Sequence, residues 1–316
     1  MALPEQFRGR LRLPVVSAPM FLVSGPELVI NACRAGIVGT FPALNARTSE
    51  DFETWLLEIK QALAEAPDAA PFGVNLIVHK SNPRLQEDLQ LCVKHEVPLV
   101  ITSLGAVADV VDAVHSYGGI VFHDVINVRH GQKAAAAGVD GLIAVCAGAG
   151  GHAGTTSPFA LVRELRSFFD KTLLLAGSLS TGADVLAARA IGADLAYLGT
   201  RFINTTESLA DQAYKEMIVE SGSRDIVYTE KVSGVNANFL AKSLQAAGMD
   251  PATMEAKDMD FEKKTKDEAK AWKNIWSAGH GVGAIGDVLP VAELVERMRD
   301  EYQSARRELI DNGDLA

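Results

Sequence analysis

Cysteine is scarce in this chain: Cys33, Cys92 and Cys146 are the only three in 316 residues, widely separated and without a CxxC pair. An odd number so spaced argues against both a disulfide framework and a zinc site. Long apolar runs are missing too, none approaching the roughly 20 residues that cross a bilayer. The first fourteen residues carry Glu5, Arg8, Arg10 and Arg12 where a secretory signal would be apolar. The expectation is a cytoplasmic protein with no membrane partner. Positive charge is short, 30 Lys and Arg against 40 Asp and Glu, for a formal net charge of −10. Nucleic acids and anionic membranes are held by clustered Lys and Arg, and no cluster exists, so neither is expected as a partner. There is also no GxGxxG fingerprint after a first strand.

What the chain does have is a rhythm. Eight short, nearly continuously apolar runs recur: Val15–Met20, Ile37–Ala43, Phe72–Val78, Leu99–Leu104, Gly119–Val125, Gly141–Cys146, Thr172–Ala176 and Leu195–Leu198. Each is followed by a helical pattern, so the strands pair in parallel, and runs without polar alternation are buried on both faces. Eight such units predict an α/β protein with a (β/α)8 TIM barrel. Ser24, Ser49 and Ser157 read as helix starts, and Gly36, Gly118, Gly138 and Gly192 as left-handed helix ends. The turns Ala137-Gly138-Val139-Asp140 and Ile191-Gly192-Ala193-Asp194 repeat one device. The rhythm stops after a helix over Ser208 to Glu220. The barrel is therefore assigned to 1–222 and 286–316, with an inserted, mainly helical cap and substrate region at 223–285. In that cap Trp272 and Trp276 share one helix face. An amphipathic helix from Val291 to Leu309 closes the chain.

Barrel enzymes place their chemistry at the C-terminal ends of the strands. The residues there are Pro19 and Met20, Asn75, Ser103, His123 and Asp124, the loop Ala147 to Gly154, Gly177 and Ser178, and Gly199 and Thr200. Glycine at the ends of strands seven and eight lets backbone amides approach a phosphate, with Ser178 and Thr200 as hydroxyl donors. A helix starting near Gly182 is expected to aim its positive end at the same phosphate. Together with the glycine-rich loop after strand six, this suggests a flavin mononucleotide (FMN) enzyme. His152 is the titratable side chain in that loop, and an imidazole accepts a proton near neutral pH. The competing reading is a structural histidine bonded to a loop carbonyl. His79, His95, His115 and His130 read as solvated, and His280 as part of a lid. Of His123 and Asp124, adjacent on a strand, at most one enters the lumen. Cys146 is expected to be a buried, protonated thiol rather than a nucleophile.

Ala18-Pro19-Met20, Phe72-Gly73-Val74-Asn75-Leu76, Ala149-Gly150-Gly151-His152-Ala153-Gly154, Ala176-Gly177-Ser178 and Gly199-Thr200-Arg201-Phe202 resemble the nitronate monooxygenase family, formerly called 2-nitropropane dioxygenases. The resemblance runs nearly the whole length. It includes Ile275-Trp276-Ser277-Ala278-Gly279, similar to the segment that approaches the flavin from the cap, which makes Ser277, Gly279 and His280 lid candidates beside His123 and Asp124. The resemblance implies non-covalent FMN, no metal, and oxidation of an alkyl nitronate or nitroalkane with O2 to a carbonyl compound and nitrite. It implies His152 as the catalytic group, Pro19, Met20 and Asn75 near the flavin ring, Ala149, Gly150 and Gly151 beside it, and Gly177, Ser178, Gly199 and Thr200 around the phosphate. The same superfamily includes NAD(P)H-dependent quinone reductases and enoyl-acyl-carrier-protein reductases, so NAD(P)H is an alternative electron donor. A homo-oligomer and a flavin-binding scaffold without turnover are further alternatives. One position departs from the pattern: some members carry Lys at the strand-five end, and this chain has Asp124. A carboxylate there disfavours negative charge on a reduced flavin, so Asp124 must point elsewhere or be compensated by Arg129 or a protonated His123.

Overall fold

The computed structural model describes residues 2–79, 82–103, 105, 108–232, 234–250, 253 and 275–311. Eight parallel strands close a barrel: β1 (Val15–Ser17), β2 (Val38–Pro42), β3 (Phe72–Ile77), β4 (Leu99–Ser103), β5 (Ile120–Val125), β6 (Gly141–Val145), β8 (Thr172–Ala176) and β9 (Leu195–Leu198). Closure is made by β9 against β1, with Val15 beside Ala196 and Ser17 beside Leu198. All eight expected runs are strands. The two-residue β7 (Gly151–His152) stands outside the barrel, in a three-stranded sheet with β10 (Ile226–Thr229) and β11 (Ala237–Leu240).

The period of two along each strand divides the apolar residues between two cores. Val16, Val38, Leu99, Ile101, Phe122, Ile143, Leu174 and Leu195 form one cluster in the lumen. Phe7, from a 3-10 turn at Glu5–Phe7, joins it from the sequence start and meets the Phe122 ring edge-on at 6.0 Å. Val15, Phe41, Val74, Val100, Val121, Leu142, Leu173 and Ala196 face outward against the helices. Full burial of each such side chain contributes about 1.5–3 kcal/mol, so a strand with both faces covered is apolar throughout.

The outer helices are α1 (Pro26–Arg34), α2 (Ser49–Ala64), α3 (Leu85–Lys94), α4 (Ala108–His115), α5 (Val128–Ala136), α6 (Pro158–Arg166) and α7 (Gly182–Ala190). They are followed by the short α8 (Thr200–Ile203), α9 (Gln212–Val219), α10 (Ala241–Ala246) and the closing α11 (Val291–Asp311). Two of the expected start signals do other work. Ser49 Oγ turns inward to donate to Asp88, so Thr48 caps α2 by accepting from the Asp51 N–H. Ser24 Oγ accepts from the Met20 N–H and donates to Ala18 O, leaving Gly25 to precede α1. In the repeated turn, Gly138 (φ 88°) and Gly192 (φ 114°) reverse the chain. The aspartate that follows each then seals the start of the preceding strand. Asp140 accepts from Val121 N–H and Asp194 from Leu173 N–H, both at 2.9 Å.

The described part of 223–285 is less helical than expected: it holds β10 and β11 besides α10 and two 3-10 turns. Trp272 lies outside the described residues. Among the described residues no helix is long and apolar enough to cross a membrane.

Candidate active site

The C-terminal mouth of the barrel carries a row of polar side chains on three adjacent strands. On β5, Ile120 and Phe122 belong to the lumen cluster, so Asp124 shares their face, whereas His123 points outward with Val121 and Val125. Asn75 on β3 and Ser103 on β4 stand on the matching face and are bonded to it. Asn75 Nδ2 donates to Ile101 O at 3.3 Å and to Ser103 Oγ at 2.9 Å, and Ser103 Oγ donates to Asp124 Oδ2 at 2.5 Å. Asp124 Oδ1 is shielded and has no partner. Burial pushes the Asp124 carboxyl up to about 6.

Neither compensation foreseen for Asp124 operates. His123 is buried, with Nδ1 2.8 Å from Thr102 Oγ1, and burial together with the nearby His130 lowers it to about 4, so it is neutral. Arg129 is exposed on α5, and among the described residues no cation pairs with Asp124. The acid is accommodated by holding its proton more tightly.

Across the mouth, the loop after β6 is fastened from three sides. Asn238 on β11 donates from Nδ2 to Ala149 O at 2.6 Å, and its own Oδ1 is buried without a partner. Tyr228 on β10 donates to Ala153 O at 3.1 Å. The strap 277–281 packs against the loop, with His280 N–H donating to Gly148 O at 2.9 Å. A Cβ on Gly148 would stand 2.2 Å from Ser178 Oγ and 3.2 Å from His280 Cβ, which explains glycine there. His152 is exposed on β7, its backbone paired with Ala237. The strap is itself anchored: Trp276 stacks on Tyr214 with ring centroids 5.0 Å apart, the Trp276 backbone N–H donates to Ser243 Oγ at 2.7 Å, and Tyr214 OH donates to Ser277 O. Ser277 Oγ is buried and unpartnered.

The ends of β8 and β9 meet the same loop. Gly177 (φ 129°) and Ser178 (φ 58°) both sit in the left-handed region, and Ser178 N–H donates to Gly148 O at 3.3 Å. Thr200 Oγ1 accepts from Gly279 N–H at 2.9 Å and keeps its own hydroxyl proton to donate. The atoms nearest the site of a Cβ on Gly199 belong to Met20 and Ala18, at 3.7–3.8 Å, so Met20 lies against this end of the mouth. Pro19 and Met20 are half-buried in a loop pinned by Asn45, whose Nδ2 donates to Met20 O and Ser24 O.

The expectation for α7 is corrected. Its N-terminal N–H groups are satisfied within the protein, Gly182 by Glu301 at 2.7 Å and Asp184 by Thr181 Oγ1 at 3.2 Å, and the N–H of the capping Thr181 by Asp184 at 2.8 Å. Arg201, in the Gly199-Thr200-Arg201-Phe202 motif, is likewise turned away: it is 1 % exposed and paired with Asp287 at 2.8 Å. The three cysteines are buried thiols, and burial pushes Cys146 up to about 12.

The mouth thus combines an unpartnered carboxyl oxygen and an unpartnered amide oxygen, which accept, with a serine hydroxyl that can donate and with Gly151 and Gly199, whose Cβ positions meet nothing closer than 3.7 Å, a polar set suited to a flat polar heterocycle with a phosphate. Comparison with known proteins bears on what that heterocycle is. The model of the nitronate monooxygenase family matches residues 81–301. The chain belongs to the nitronate monooxygenase family. Members are flavin oxidoreductases, and a nitronate monooxygenase of Paraburkholderia phytofirmans is 27 % identical over 94 % of each chain. The fold is shared with FabK from Thermotoga maritima, at a TM-score of 0.81, 24 % identity and coverage of 96 % of this chain and 97 % of that one. It is shared equally with nitroalkane oxidase from Streptomyces ansochromogenes, at 0.80, 23 % and coverage of 96 % and 100 %. For this nitronate monooxygenase family chain, sequence reasoning overlooked Asn45, Tyr228 and Asn238. None carries a motif, and each acts on a backbone carbonyl far away in sequence.

Proposed function

We propose that the protein is an FMN-dependent nitronate monooxygenase that converts alkyl nitronates or nitroalkanes, with O2, to carbonyl compounds and nitrite. The observation that carries this reading is the glycine loop tied down by Asn238, Tyr228 and the strap, with His152 at its exposed edge. FMN, when bound, supplies the electron acceptor. Gly177, Ser178, Gly199 and Thr200 would hold its phosphate, with the Thr200 hydroxyl as donor. Met20, Asn75 and Ala149 to Gly151 would border the ring. His152 takes the α-proton of a neutral nitroalkane or orients the anionic nitronate, and segment 223–285 shapes the substrate pocket. A cytoplasmic setting is part of this reading.

The test is anaerobic stopped-flow mixing of the purified, flavin-loaded protein with a small alkyl nitronate, NADH or NADPH. Nitronate is expected to bleach the flavin band rapidly and both nicotinamides slowly. Rapid bleaching by either nicotinamide assigns the protein to the reductases of the superfamily instead, and a scaffold without turnover is bleached by none.

A further inference from the structure

The Asn75–Ser103–Asp124 row has a direction. Asn75 Nδ2 is identified as the nitrogen by its bond to Ile101 O, so it donates to Ser103 Oγ. Ser103 has one hydrogen and gives it to Asp124 Oδ2. Everything the row supplies is spent on Oδ2, and Oδ1 is left shielded without a donor. Among the described residues, an ionised Asp124 would therefore rest on one hydrogen bond and no cation.

Among the described residues the surrounding elements add no charge. On β9, Tyr197 faces the lumen with its phenol held protonated by burial and by Asp124 itself. On β6, Ile143 and Val145 are apolar, and Phe122 lies below on β5. His123, on the outer face, is neutral. Negative charge arriving at the mouth would thus meet a carboxyl group whose easiest response is to take a proton.

We propose that Asp124 is the proton-exchanging tuning residue of the flavin site: it binds a proton at Oδ1 when the flavin is reduced and returns it to solvent when the flavin is reoxidised. The inference rests on the flavin reading above. For every two electrons held at the site one solvent proton would be bound by Asp124, beyond any the flavin itself takes, and it would leave when those electrons leave. The burial that pushes the carboxyl up to about 6 sets the lower limit of the effect. Below that pH the group is protonated in both states and exchanges nothing.

The experiment is spectroelectrochemical titration of the FMN-loaded full-length protein from pH 5 to 9, for wild type, Asp124→Asn and Ser103→Ala. One additional proton per two electrons steepens the pH dependence by 29.6 mV per pH unit, the tenfold equivalent for a two-electron couple. Wild type is expected to be steeper than Asp124→Asn by about that amount above pH ~6, with the two lines parallel below it. Ser103→Ala, which keeps the carboxyl but removes its donor, should move the break to higher pH. Parallel wild-type and Asn lines overturn the proposal, as does a wild-type line without a break, whichever variants fold. A wild-type protein that holds no flavin overturns the flavin reading along with it.

Discussion

His152 and Asp124 are two titratable side chains of the candidate site, and they differ in how they are held. His152 is exposed to solvent on a two-residue strand whose backbone pairs with Ala237. Removing a general base costs about 10²–10⁴-fold in rate. His152→Ala is therefore expected to keep its flavin and lose at least about 10²-fold in O2 uptake with a neutral nitroalkane, with a smaller loss on the preformed nitronate, which has no α-proton to give. Equal losses on both substrates would assign the imidazole to orientation alone, and an unchanged rate would remove it from the chemistry. The strand rule that only one of His123 and Asp124 enters the lumen was readable from adjacency. Which one enters depends on Phe122 and Ile120 lying in the lumen core, and that is settled by barrel closure rather than by local sequence.

At the level of elements, legibility follows the range of the interactions. The barrel strands are apolar on both faces and announce themselves; their limits differ from the expected ones by at most three residues, the largest difference being at the end of β1. The small sheet of β7, β10 and β11 has no such pattern, because it is too short to alternate and its pairing joins residues 87 positions apart, Gly151 with Asn238. The end of α7 was misread for the same reason: the carboxylate that caps it, Glu301, is 119 residues away. The strap over the loop is likewise a long-range contact, and it gives a test. Gly148 has φ 82°, and a Cβ there meets Ser178 Oγ and His280. Strain in the left-handed region costs about 1–2 kcal/mol and overpacking about 1–3 kcal/mol. Gly148→Ala should thus displace the strap and weaken flavin retention by roughly tenfold or more, since about 1.4 kcal/mol is a factor of ten. Flavin release followed by fluorescence checks this, and wild-type retention would show that the strap is not part of the flavin seat.

For the whole molecule, the closing helix α11 decides whether the barrel and the segment before it hold together. Gly182 meets it so closely that a Cβ would stand 1.8 Å from Met298 O. The hub of the junction is Asp287, which binds the buried Arg201 through Oδ1 at 2.8 Å and Arg297 through Oδ2 at 2.5 Å. Hydrogen bonds from Arg297 and the charge of both guanidinium groups hold the Asp287 carboxyl below the usual range. A carboxyl so depressed adds stability above its unfolded pKa of about 3.9 and loses it as pH falls through the lower folded value. Removing one partner of a buried ion pair costs about 3–5 kcal/mol, because the remaining charge is left desolvated. Asp287 itself is 37 % exposed, so water offsets part of that and the lower end applies. Asp287→Ala is expected to lower Tm by about 6–12 °C, at 2–4 °C per kcal/mol, when unfolding is followed by circular dichroism at pH 7. Adding Arg201→Met should restore part of the loss, because the stranded charge goes with it. Two substitutions whose effects simply add would show that Arg201 is solvated in the single variant, and that the junction is held by the packing of α11 on α7 rather than by the ion pair.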